Sequence, residues 1–195
     1  MTRKHAITEA DILPPEIYAA TRAERRRAMV ALKRGRRVAV GPFVTFFFEN
    51  YDTMWFQIHE MLHIEKGGPA QIADELAAYN PLVPNGTELV ATFMIEIDDP
   101  DRRKAELARL GGIEETAFLS FAGETIASQP ETDQDRTTAE GKASSVQFVH
   151  FPFTAAAIAK FKTANDIMLG FRHPNYPHMT TLTPALRDTL ASDFA

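Results

Sequence analysis

Apolar positions recur mainly with helical spacing over the first 86 residues, and with strand spacing broken by short helices after them. A helix is predicted from Pro14–Pro15, where proline suits a first turn, to a stop at Gly35. VAVGPFVTFFF, around residues 37–48, reads as a strand pair punctuated at Gly41–Pro42. ENYDTMWFQIHEMLHIEKGG predicts a helix capped by Asn50, Asp52 or Thr53 and stopped by Gly67–Gly68. Pro69 opens a shorter helix, AQIADELAAYN, which breaks before Pro81, so the two make a helix hairpin.

From residue 87 one order of elements occurs twice. ELVATFMIEI is a strand, DPDRRKAELARL a helix, and TAFLSFAG with ETIAS a strand pair. The same order returns in SSVQFVHF, FTAAAIAKFK, DIMLGFRH and HMTTL, and Thr183 with Pro184 begins a closing helix. The fold class expected is α+β: an N-terminal helical segment and a helix hairpin packed with a mostly antiparallel sheet of two β-α-β-β-like units. Residues 1–86 form the helical and strand N-terminal region and residues 87–195 the α+β region, in one compact domain overall.

Composition narrows the chemistry. With 45% hydrophobic and 24% charged residues the chain is ordinary for a soluble protein, and its longest apolar run cannot span a bilayer. The opening MTRKHAITEADILPPE lacks the apolar stretch of a signal peptide, so a cytoplasmic location is expected. Without cysteine there is no disulfide, no thiolate nucleophile and no self-held cysteinyl iron–sulfur cluster. Any metal must use His and carboxylate ligands. The net charge of −5 hides an asymmetry: residues 1–37 hold ten Lys/Arg against four Asp/Glu. TRAERRRAMVALKRGRR suits an electrostatic footprint for nucleic acid or an acidic partner, or the solvated face of a helix. The acidic remainder and the lack of a nucleic-acid motif favour the solvated face, and nucleic acid is not an expected partner.

Residues 59–63 read HEMLH, matching the zincin pattern HExxH. Two imidazoles one turn apart can ligate one Zn²⁺ while the glutamate between them activates water, which would make Glu60 the catalytic base and His59 and His63 ligands. A helical wheel puts Met54, Trp55, Ile58, Met61 and Leu62 toward the core, with the two histidines at the edge of that arc. A third ligand is required. Lys66 and Pro69 stand where a metzincin needs Gly and His, so only Asp74 or Glu75, folded back by Gly67–Gly68, would serve. The overlapping Glu60-x-x-His63 has no second ExxH to complete a di-iron set. HEMLH therefore weighs as structural or incidental.

A second group is His150, which shares a strand face with Val146 and Phe148, and His173 and His178 in RHPNYPHM. Pro174 and Pro177 stiffen the loop that presents His173, Tyr176 and His178. The expected site joins these three histidines around a first-row transition metal such as Fe or Zn, or around an anion, with Tyr176 as a supporting donor and, for the metal, a carboxylate such as Glu49 or Glu65. Taken singly, His150 and His173 are each more simply a hydrogen-bonded core histidine. The polar stretch 129–145 carries Asp133, Asp135, Arg136, Thr137, Thr138 and Lys142, and is expected to order against a ligand or partner, with Arg136 and Lys142 as contact cations.

Five segments carry a resemblance: FENYDTMWFQIHEML, IEKGG, QIADELAAYNPLVPNGTELVATFMIEIDDPDRR, DRTTAEGKASSVQFVHFPFT and HPNYPHM. Through them the chain resembles the bacterial domain-of-unknown-function family 3501, from about residue 8 to the end. The resemblance implies that His63 is a local departure, since Arg or Tyr often takes its place. It implies no established activity. It does imply a setting, because genes of the family typically lie beside those for a rubrerythrin and an iron–sulfur oxidoreductase resembling heterodisulfide reductase subunits. The resulting expectation is a cytoplasmic accessory protein of that redox system, binding a metal or small ligand through histidines. The alternatives are a metal-dependent hydrolase at HEMLH and a structural interaction module; homo-oligomerisation stays open.

Overall fold

Local chemistry sets most element ends. The structure, a computed structural model, describes residues 4–131, 137–138 and 141–194. Helix α1 (Pro15–Arg34) has proline in its first turn and Gly35 after its last. Strands β1 (Arg37–Val40) and β2 (Val44–Phe48) form a hairpin turning at Gly41, and helix α2 (Tyr51–Glu65) follows. Asn50 caps α2 by accepting the Thr53 N–H at 2.9 Å, while the Thr53 hydroxyl accepts the Asn50 N–H at 2.9 Å. The stop differs from expectation, because Lys66, not a glycine, takes the left-handed C-cap with φ 56°. Helix α3 (Pro69–Tyr79) completes the hairpin.

The two β-α-β-β units follow. The first is β3 (Glu88–Ile95), α4 (Pro100–Leu107), β4 (Ala117–Phe121) and β5 (Glu124–Ala127). A short strand β6 (Gln129–Pro130) separates it from β7 (Val146–Pro152), α5 (Ala155–Thr163), β8 (Met168–Phe171) and β9 (Met179–Thr181). Helix α6 (Pro184–Ala191) closes the chain, with the Thr183 side chain accepting the Leu186 N–H. The fold is α+β, but the strands make two antiparallel sheets where one was expected. Their orders are β1-β2-β3-β7-β6 and β5-β4-β8-β9. Each unit gives its first strand to the larger sheet and, after its helix, its last two to the smaller. The first strands pair with each other about Ala91↔Val149, and β4 and β8 pair about Phe118↔Gly170.

Strand alternation then builds the core. Val44, Phe46 and Phe48 of β2 are buried while Thr45 and Phe47 face the other way. Across the sheets, Phe171 lies 5.3 Å from Phe46 and 5.2 Å from Phe93 between ring centroids. Phe121, Phe153, Phe161 and Phe194 bring α5 and the chain end into the same core. The N-terminal strands β1 and β2 complete the larger sheet, so the principal core draws on both halves of the chain. β3 is buried along nearly its whole length, since α2, through Met54 and Ile58, and the segment after α3, through Leu82 and Val83, pack with Val90 on its outer face. Helix α1 lies outermost on α2, and Tyr18 is its only buried residue.

Candidate functional site

Helix α2 carries HEMLH between the sheet and α1, and this position decides what the motif can do. His59 is 2% exposed, nearer the buried face than the helical wheel suggested, while Met61 turns away from the core. The backbone N–H of Leu13 donates to His59 Nε2 at 3.0 Å, so the proton sits on Nδ1, which donates to the Trp55 carbonyl at 2.7 Å. Both ring nitrogens are engaged, and burial pushes the imidazole below its ordinary pKa, keeping it neutral. Glu60 accepts from Arg22 Nε and Nη2, each at 2.8 Å, and from the Tyr18 hydroxyl at 2.7 Å. The guanidinium holds its carboxyl below the usual carboxylate range, and burial beside that carboxylate raises Tyr18. As placed, Glu60 is a joint between α1 and α2, with its oxygens aimed at α1.

A hollow lies on either side of this joint. One, of about 580 Å³, has apolar walls from Ile12, Leu13, Leu62 and Ile72, with His63 and Lys66 among its lining. The other, of about 510 Å³, is a groove between α1 and α2, floored by Met29, Phe47, Phe56 and Met61 and bordered by Arg26, Lys33, Arg34 and Arg37. The Gly67–Gly68 turn does not deliver a third ligand to His63. Glu75 accepts from Gln71, which also donates to Glu65, while Asp74 is exposed.

The second-unit histidines occupy separate settings. His150 is on the outer face of the larger sheet, not its core face, with Nδ1 3.0 Å from Glu88 and Nε2 3.1 Å from Glu131. Glu88 first, with Glu131, raises its pKa. His173 is buried at the end of β8. The Asn175 N–H donates to its Nδ1 at 3.2 Å, so Nε2 donates to the Gly111 carbonyl at 3.2 Å. His178 is exposed and packs its ring edge-on against Tyr176 at 4.5 Å. The Tyr176 hydroxyl donates to the Val40 carbonyl at 2.8 Å and accepts the Phe43 N–H at 3.2 Å, so it ties the β1–β2 turn to the loop before β9. Glu49 is buried and accepts from the Thr92 hydroxyl at 2.7 Å. Among the described residues no group of three or more His, Asp or Glu side chains is placed to hold a metal ion.

In the polar stretch, Asp133, Asp135 and Arg136 lie outside the described residues. Thr137 donates to Glu114 at 2.8 Å and accepts the Gly112 N–H at 3.0 Å, and Thr137 bridges Ala143 in a tight turn. This part is ordered against the protein itself, and Lys142 is exposed on it. Sequence reasoning missed the Tyr18–Arg22–Glu60 joint and the buried pair of Arg36 with Asp193. The available signal was the i, i+4 spacing of Tyr18 and Arg22 on the face opposing Glu60.

No curated protein matches the chain. A solved structure from Burkholderia pseudomallei, described as a novel protein of unknown function, is similar at 37% identity and a TM-score of 0.90, over 97% of this chain and 100% of that one. Its likeness spans both sheets and the helical layer that carries HEMLH. A family model matches residues 6–194 as well, and the chain belongs to that family, the proteins of unknown function grouped as DUF3501.

Proposed function

We propose that the protein is an accessory protein acting by binding, in a redox system with a rubrerythrin and an iron–sulfur oxidoreductase, and that HEMLH is a structural joint. The observation that carries the second part is the engagement of both Glu60 oxygens and both His59 nitrogens within the protein. A zinc hydrolase needs those imidazoles on the metal and that carboxylate free to take a proton from water. The family resemblance supports the redox setting. The absence of cysteine supports a supporting role over that of a cluster-bearing carrier. The metal reading of His150, His173 and His178 has less behind it, because His150 and His173 already use both ring nitrogens. The test is affinity capture of the tagged protein from cells producing the rubrerythrin and the oxidoreductase, with both expected in the eluate. Capture of neither, or chelator-sensitive peptide hydrolysis by the purified protein, would reverse the reading.

A further inference from the structure

The groove between α1 and α2 has a composition that the fold does not require. Its α1 wall is the stripe Arg26, Met29, Val30, Lys33 and Arg34, spaced i, i+3, i+4, i+7, i+8, and its α2 wall is Phe56, Gln57, Glu60, Met61 and Ile64. Val30 is 62% exposed and Ile64 63%, the two most exposed large apolar side chains among the described residues, and both line this one groove. Arg26, Lys33, Arg34 and Arg37 border it, and among the described residues none of them has an ion-pair partner. The one carboxylate in the lining, Glu60, is already paired with Arg22. The result is an apolar trough bordered by four basic side chains, of which Arg26 also feels the Glu60 carboxylate, on a chain whose net charge is −5.

We infer that this groove docks an acidic amphipathic helix of a partner protein. Two side-by-side helices leave a trough in which a third can lie, its apolar residues entering at i, i+3, i+4 and i+7 spacing. Carboxylates flanking that stripe would meet the bordering Arg26, Lys33, Arg34 and Arg37, which supplies attraction. Nucleic acid fits poorly, because the trough floor is apolar and its aromatic rings, Phe47 and Phe56, are half-buried instead of presented for stacking.

The inference rests on the accessory reading above and identifies the chemistry of the partner's contact. Its test uses the whole protein and a labelled synthetic helix of about five turns, with leucines along one face and glutamates flanking them. Fluorescence anisotropy should show saturable binding that weakens with added salt. Arg34→Glu with Arg37→Glu, both exposed, should lower affinity about tenfold or more. Ile64→Ser should lower it several-fold, and Lys162→Glu on α5 should leave it unchanged. Circular dichroism and unfolding midpoints establish that each variant is folded. Equal binding of a scrambled peptide, or wild-type affinity in the Arg34/Arg37 variant, would overturn the inference. So would binding to phosphatidylserine vesicles without binding to the peptide, or self-association of the protein abolished by the same variants. The two readings fail separately. Capture of the redox partners that survives the groove variants removes the groove, whereas groove-dependent peptide binding without capture of either partner removes only the redox assignment.

Discussion

Glu60 stands where a zinc hydrolase keeps its general base, and its surroundings give a way to tell a base from a joint. Glu60→Gln preserves shape but removes the charge that pairs with Arg22 at 2.8 Å. Losing a partly buried, charge-assisted bidentate contact should cost about 2 kcal/mol, read as a lower urea midpoint at unchanged m-value. A catalytic carboxylate, held at a cost to the fold, would leave stability unchanged or raised on replacement. His150 gives a pH signature of known sign. Glu88 and Glu131 raise its folded pKa above the value of about 6.5 in the unfolded chain. The stabilisation is therefore full below about pH 6.5 and is lost as pH rises through the raised value. The stability gap between wild type and His150→Asn should accordingly be widest in mildly acidic buffer and shrink at alkaline pH, with the imidazole titrating above its ordinary range by NMR. His59 works in the opposite direction, since burial lowers its pKa and protonation below about pH 6.5 favours the unfolded chain.

At the scale of elements, the β1–β2 turn depends on one glycine. Gly41 has φ +71°, and a Cβ there would lie 2.7 Å from both the Tyr176 hydroxyl and His178 Cγ. Gly41→Ala is therefore expected to destabilise by roughly 2–3 kcal/mol through backbone conformation and displacement of Tyr176 together. A thermal melt checks it, and a change under about 0.5 kcal/mol would mean that Tyr176 does not lock the turn. The elements themselves were legible because their signals are local. Thr154 and Thr183 cap helices by accepting N–H groups three residues on, and Asn50 does the same for α2. Alternation along β2 places Phe46 and Phe48 on one face. Alternation alone could not say which face of β7 was inside. Val149 and Phe151 took the core, and His150 went to the covered outer face with Phe148.

Across the whole molecule, Arg36 and Asp193 join the start of β1 to the chain end across 157 residues. Both are 3% exposed, and Arg36 also donates to the carbonyls of Phe48 at 2.8 Å and Glu49 at 3.1 Å. Asp193→Ala strands a buried guanidinium, with an expected cost of about 3–5 kcal/mol by chemical denaturation, and Arg36→Met with Asp193→Leu should recover much of it. No helix among the described residues is long and apolar enough to cross a membrane. By itself the sequence determined the order and type of the main elements, the repeated β-α-β-β plan and the capping residue of α6, with Asn50 among the candidates for α2, since these rest on contacts within a few residues and on side-chain periodicity. The tertiary structure alone decided that each unit's strands divide between two sheets. It also decided that Glu60 meets Arg22 across 38 residues and that His150 stands apart from His173. A side chain's chemistry is set by its partners, and partners so far apart in the chain are chosen by which surfaces pack together, a choice no local pattern records.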